Sequence, residues 1–219
     1  MELSQPFSTP LWRFQIPDPQ GLNAELARVL VAESEQSEGV KRESFGRVWQ
    51  SEPDLMFREA PVFRALCAML AAHAEAGLGE LAARRGHPGP LQLDLGLRVW
   101  ATVMRDGDHV MHHDHEDASF VLQYYPDAGD PPNEATPSSG AVTFVSPQRV
   151  SASLLGLDLF PPSIDVQPHD GMLLMFPGHL QHYVHAYRGH RPRVCISAAL
   201  RARVRNAPPP PRGYPRRLR

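Results

Sequence analysis

Eleven histidines lie in this chain of 219 residues, and nine of them fall between His109 and His190. They gather in two runs, Gly107–His115 (GDHVMHHDH) and Phe176–His185 (FPGHLQHYVH). In a β-strand, residues two apart share a face. The first run therefore offers His112 with Asp114, or His113 with His115, as a pair able to grip a metal ion from one side. A one-residue slip turns every side chain over, so the two pairs exclude each other. A third ligand from the second run completes a face of three. Three protein ligands leave coordination positions open for water, substrate or dioxygen, which is the catalytic rather than the structural arrangement. Any single histidine here reads as readily as an ordinary surface or core imidazole. The weight comes from two clusters about 70 residues apart, each beside predicted strands, followed by Arg193 in the run RVCISAAL. An arginine buried on an inward strand position needs a counter-charge, because desolvation otherwise costs several kcal/mol.

The elements that must position these residues follow from periodicity. Short β-rich runs alternate with turn clusters over 91–104, 119–125, 140–146, 164–167, 171–176, 182–187 and 193–200. Many short strands at this spacing predict a sandwich or barrel. Ahead of them, Leu22, Leu26, Val29 and Leu30 draw one apolar stripe of a helix over 20–36. A second helix starts at Pro61, carries Val62, Leu66, Met69 and Leu70, and runs to Arg85 with a break expected near Gly77–Gly79. Residues 5–16 read as extended, with Pro10 marking an edge strand, and Ser44–Ser51 as a short strand or turn carrying Trp49. The expected layout is one domain over 1–200, with helical support over 18–90 and a β core over 91–200. A basic tail rich in Pro and Arg follows at 201–219.

Composition narrows the function classes. The chain is 42% hydrophobic, enough for a sizeable core, and it has no uninterrupted run of 18 apolar residues, so no membrane partner is expected. No basic-then-apolar leader opens it, which makes a cytoplasmic location the expectation. Cys67 and Cys195 cannot build a disulfide framework or a four-thiolate zinc site. The net charge of −2 hides a split. Residues 201–219 hold seven arginines and no acid, whereas residues 1–200 hold 24 acids against 15 bases, a net of −9. Nucleic acid is therefore not the expected partner, since phosphate contacts need a basic face. The acidic body tilts the expected substrate toward a neutral or cationic molecule.

Several short motifs keep their order along the chain: Gly107-Asp108; His113-Asp114-His115; Gln123-Tyr124-Tyr125; Gly140 to Pro147 (GAVTFVSP); Gly171 to Pro177 (GMLLMFP) with His182; and Arg193 to Ser197 (RVCIS). In these, and in FSTPL near the N-terminus and the Trp49–Leu55 segment, the chain resembles the iron(II)- and 2-oxoglutarate-dependent oxygenases. More narrowly it resembles a bacterial group with an H-x-H…H…R pattern. The resemblance covers most of the chain up to Leu200. It implies a mostly β fold, a double-stranded β-helix (jelly roll) core buttressed by N-terminal helices, with the metal at the mouth between the sheets. It also implies His113, His115 and His182 as ligands of Fe(II), and Arg193 and Tyr125 as the groups that hold the distal carboxylate of 2-oxoglutarate.

Two departures qualify it. The wider superfamily carries a carboxylate at the second ligand position, where His115 stands here. An alternative register, His112, Asp114 and His182, restores the usual two histidines and one carboxylate. Motif spacing favours the first set and ordinary Fe(II) chemistry the second. The other departure is Cys195, a poor donor, where a serine often helps hold the keto acid. His109 and His179 read as surface histidines, Trp49 and Trp100 as core aromatics, Asp106 and Asp108 as turn formers. The polar 127–139 loop reads as a lid or a loose connection. The expected activity is hydroxylation of an unidentified small-molecule or peptide substrate. A cupin-like three-histidine dioxygenase or isomerase without 2-oxoglutarate, and a non-catalytic metal-binding jelly roll, are the alternatives.

Overall fold

A computed structural model describes residues 8–18, 21–41, 46–115, 117–148 and 161–205. Phe7, the first residue of the FSTPL motif, and the far end of the tail lie outside them. Two antiparallel sheets face each other. The larger joins β1 (Trp12–Gln15), β2 (Trp49–Gln50), β3 (Leu93–Met104), β5 (Phe120–Asp127), β8 (Met172–Pro177) and β10 (Arg193–Val204) in the order β1-β8-β5-β10-β3-β2. The smaller runs β4-β9-β6-β7, from β4 (Val110–His113), β6 (Val142–Val145), β7 (Ser163–Val166) and β9 (His182–Val184). Such a two-sheet roll, with neighbours drawn from distant parts of the sequence, is the expected jelly-roll architecture.

Alternation along the central strands sorts the side chains between two cores. Leu122, Tyr124, Leu173, Met175, Val194, Ile196 and Ala198 face outward to the helices, while Val121, Tyr125, Leu174, Phe176 and Cys195 face the smaller sheet. Both faces of the larger sheet are thereby covered over its central part, and burying each large apolar side chain contributes about 1.5–3 kcal/mol.

Two helices cover the outer face. In α1 (Leu22–Gln36), the Asp18 carboxylate accepts from the backbone N–H groups of Leu22 (2.6 Å) and Asn23 (2.9 Å), satisfying donors that the first turn leaves open. Its stripe buries Leu26 and Leu30. In α2 (Pro61–Arg84), Pro61 occupies the first turn, where its missing N–H costs nothing. By length and composition α2 is apolar enough to span a bilayer; here Phe63, Leu66, Leu70, Ala74 and Leu78 pack into the core. The helix does not break at Gly77–Gly79. A Cβ at Gly77 would stand 3.1 Å from the Met175 sulfur, so the glycine serves a close helix–sheet approach rather than a stop. β1 lies at the sheet edge, as Pro10 led us to expect, and Trp49 is buried in β2.

The end of the β core differs from expectation. β10 runs through Val204, past the expected boundary at Leu200, and pairs with β3 from Arg193↔Met104 to Val204↔Leu93. On its other side β10 pairs with β5 only as far as Leu200↔Phe120. Among the described residues the start of β3 (93–96) and the end of β10 (201–204) thus form a two-stranded arm beyond the sheet. Leu93, Leu95, Leu97 and Ala202 lean on the helical core. Asp94, Arg98, Arg201 and Arg203 point the other way and are exposed. Residues 206–219 lie outside the described part.

Candidate metal and carboxylate site

The placement of the first histidine run depends on one irregularity. β4 pairs with β9 at Val110↔Val184 and at His113↔His182. Two residues of β4, Met111 and His112, therefore stand opposite the single residue Tyr183, which makes a β-bulge. Val110 points inward and is buried. Strict alternation from Val110 would send His112 inward; the extra residue sends His113 there instead. His112 is exposed, its ring 6.3 Å from that of Tyr183.

The turn after β4 fixes His115. Its backbone N–H donates to the Gly178 carbonyl (2.8 Å), and its own carbonyl accepts from Ala118 (2.8 Å). A Cβ at position 178 would collide with the carbonyl oxygens of His115 and Ala118, so only glycine lets the two segments lie this close. His182 opens β9, fully buried, between the rings of Phe176 (5.0 Å) and Phe144 (5.7 Å).

One ring nitrogen from each of His113, His115 and His182 lies within 4.8 Å of the others. His113 and His182 each set Nδ1 against a backbone carbonyl, Met111 at 2.8 Å and Leu180 at 3.0 Å. A carbonyl oxygen can only accept, so Nδ1 donates and the lone pair of the neutral ring sits on Nε2, the tautomer a metal ligand needs. The Nε2 of His115 is buried with no hydrogen-bond partner among the described residues, a cost that a metal bond would remove. Burial pushes His182 down to about 3, with the His113 ring adding to the shift. His115 falls to about 4, again through burial and then His113, with Arg98 adding and Asp114 and Asp117 opposing. Both are held in the neutral form that coordinates. Residues and chemistry thus fit a divalent metal. Asp114 and His112 stand outside the group of three, and so do the exposed His109 and His179.

Arg193 and Tyr125 lie on the larger sheet in the same cavity, which His113, His115, Trp100, Thr102 and Met104 also line. Arg193 is 2% exposed, and no carboxylate among the described residues lies within 4 Å of it. Its Nη1 points at the Met104 sulfur (3.0 Å), its Nη2 donates to the Gly140 carbonyl (3.1 Å), and its guanidinium sits 5.1 Å from the Tyr125 ring centre. Among the described residues this buried cation is answered by a thioether, one carbonyl and the Tyr125 side chain, with no carboxylate, and it is poised for an anion. Burial raises the Tyr125 phenol well above its ordinary range, so it stays protonated and able to donate. Cys195 points into this space with a thiol that burial pushes up, leaving it a weak donor.

Gln123 belongs to the Gln123-Tyr124-Tyr125 motif, but the sequence assigned it no role. It is buried, its Oε1 accepts from the Tyr125 hydroxyl (3.1 Å), and its Nε2 lies 3.5 Å from Nε2 of His182. It thus links the histidine cluster to the end of the cavity that holds Tyr125 and Arg193. The available signal was a polar residue at an inward strand position between Val121 and Tyr125. Trp100 is buried as expected, but it lines the cavity, 5.8 Å from the His115 ring. The 127–139 loop is pinned. Arg191 pairs with Asp130 (3.0 Å) and Asp127 (3.5 Å), and Asn133 Oδ1 accepts from Ala135 and Thr136.

Residues 98–199 match the model of a family described as "Putative 2OG-Fe(II) oxygenase". No curated protein matches the chain. Solved structures with the same fold include a prolyl-4-hydroxylase of Pseudomonas putida, 15% identical, covering 89% of this chain and 93% of that one with a TM-score of 0.56. HygX of Streptomyces hygroscopicus, solved with nickel, 2-oxoglutarate and hygromycin B, is 16% identical over 88% of this chain and 82% of its own, TM-score 0.55. The 2-oxoglutarate-dependent epimerase SnoN of nogalamycin biosynthesis is 14% identical over 96% and 88%, TM-score 0.61.

Proposed function

We propose that this chain, whose residues 98–199 match the model of a family described as "Putative 2OG-Fe(II) oxygenase", is an oxidoreductase that works with iron(II) and 2-oxoglutarate and hydroxylates a small-molecule or peptide substrate through an all-histidine metal face. In this reading His113, His115 and His182 hold the iron. The observation that carries it is their convergence within 4.8 Å, with one imidazole nitrogen buried and unpartnered. Bound iron(II) with 2-oxoglutarate and dioxygen supplies oxidative decarboxylation of the keto acid coupled to hydroxylation of an unactivated C–H bond.

The chain's own contribution is positioning and exclusion of water. Arg193 takes the distal carboxylate of 2-oxoglutarate through its planar fork, which gives the buried guanidinium its counter-charge. Tyr125 donates a hydrogen bond to the same carboxylate, and Gln123 orients that hydroxyl by accepting from it when the keto acid is absent. Phe144 and Phe176 keep water from His182. Since Cys195 donates weakly, Arg193 and Tyr125 carry most of the carboxylate binding.

The test is anaerobic addition of Fe(II) and 2-oxoglutarate, followed by air and ascorbate. A metal-to-keto-acid charge-transfer band and succinate release are expected. Absence of both, with metal still bound, would turn the reading to the three-histidine dioxygenase or isomerase that needs no keto acid.

A further inference from the structure

The cavity face of the larger sheet does not stop at the cavity. Every second residue of β3 and β10 continues it outward: Thr102, Trp100 and Arg98 on one strand, Cys195, Ser197, Ala199 and Arg201 on the other. Beyond Trp100 the strands run out from the cavity, with β5 still beside β10 as far as Leu200 and the two-stranded arm starting at Arg201 and Gly96. There Gly96, Leu97, Arg98, Asp117, Ala199 and Arg201 line an open pocket of about 510 Å³. The small side chains at Gly96 and Ala199 leave its floor low between the two arginines.

Both guanidinium groups meet at one oxygen of Asp117, Arg201 at 3.1 Å and Arg98 at 3.4 Å. Among the described residues one carboxylate stands between the two arginines, which leaves a positive charge in excess there, in a body whose overall charge is negative. It also leaves donors in hand. Each guanidinium has five N–H groups. Arg201 uses two on the Asp117 carboxylate and carbonyl, and the Arg98 guanidinium makes an ion pair with Asp117 but no hydrogen bond among the described residues. The pairs are half exposed, so exchanging Asp117 for another anion costs little. The Arg98 guanidinium lies 5.9 Å from the Trp100 ring, which lies 5.8 Å from the ring of His115.

We propose that Arg98 and Arg201 bind the anionic end of the substrate, a carboxylate or phosphate on an organic molecule whose reacting carbon reaches past Trp100 to the histidine cluster. This names a substrate class for the site above and rests on that reading. It also reverses the expectation drawn from net charge: the acidic body sets the distant field, but the arm sets the field at the mouth.

Hexanoate, hexyl phosphate and hexanamide are the probes. Their binding to the full chain, loaded with Zn(II) and saturated with 2-oxoglutarate so that Arg193 is occupied, is followed by ligand-observed NMR. At least one anion binds about tenfold or more tighter than hexanamide, and the tighter of the two assigns carboxylate or phosphate. Arg98→Gln and Arg201→Gln each weaken that anion about tenfold and leave hexanamide unchanged, while Arg201→Lys retains part of the affinity. Asp117→Asn frees both arginines and tightens the anion several-fold, a gain that no destabilised variant would give. Equal binding of acid and amide, no saturable binding of either anion, or indifference to Asp117→Asn and Arg98→Gln overturns the proposal. Titration of 2-oxoglutarate on the same samples separates the two readings. If it fails while anion discrimination survives, the oxygenase reading falls alone; if it succeeds without discrimination, the arm proposal falls alone.

Discussion

Arg193 and Arg201 stand on the same face of the same strand, eight residues apart, and their surroundings differ in almost every respect. Arg193 is 2% exposed and has no carboxylate beside it among the described residues. The Arg201 side chain is 72% exposed and shares Asp117 with Arg98. The smaller sheet makes the difference. It covers the face around Arg193 and leaves the arm bare. In the covered half, a charge has a high desolvation cost and a correspondingly strong demand for one particular partner. In the bare half, water screens every pair and partners exchange. Position under the second sheet, rather than residue type, separates the arginine proposed to anchor the cosubstrate from the one proposed to face the substrate.

The largest effect expected in the covered half is that of His182→Ala. Metal titration of the purified protein should show stoichiometric binding lost, with affinity down by two orders of magnitude or more, whereas Arg201→Gln leaves metal affinity as it was. Unchanged metal binding in His182→Ala would remove that residue from the ligand set.

Next comes Arg193→Met. Losing a buried fork should weaken 2-oxoglutarate about 100-fold, equivalent to about 2.7 kcal/mol, while Arg201→Met changes it less than about twofold. In the ligand-free protein the same Arg193→Met change should leave thermal stability unchanged or raised, because methionine fills the space without the cost of a buried charge. A fall in melting temperature together with unaltered keto-acid affinity would mark Arg193 as a structural ion.

The pH dependence of the metal-free protein probes the covered half a third way. His115 and His182 titrate at about 4 and about 3 in the fold, against 6.5 ordinarily. The unfolded chain therefore takes up protons first. Their contribution to stability is complete above about pH 6.5 and drains as pH falls toward 4 and then 3, by about 1.4 kcal/mol per pH unit for each histidine. Urea denaturation at pH 7 and pH 5 measures it, and the pH 5 deficit should shrink in His182→Ala.

The smallest effect belongs to the bare half. Arg201→Gln should move the unfolding free energy by less than about 1 kcal/mol, as for other exposed pairs. A larger loss would mean that the Asp117 contact holds the arm in place.

Much of this arrangement was legible in the sequence for a physical reason. Helical and strand periodicities are local, so α1, α2 and the strands carrying Tyr125, His182 and Arg193 stood out as amphipathic or alternating runs. Other parts were hidden by averaging. The basic stretch after Leu200 read as tail because arginine and proline dominate 201–219, yet Arg201, Ala202, Arg203 and Val204 alternate as a strand does. Gln123 was passed over because its neighbours look like an ordinary buried strand.

The amino-acid order alone determined that imidazoles near 112–115 and at 182 would be offered together with an arginine at 193. It did not determine which of two adjacent histidines would face inward. That was decided when β9, with Val184 and His182 both turned inward, paired with a β4 that places Met111 and His112 opposite Tyr183. One extra residue in a ladder reverses the alternation beyond it, and such a bulge exists only once the second strand is in place.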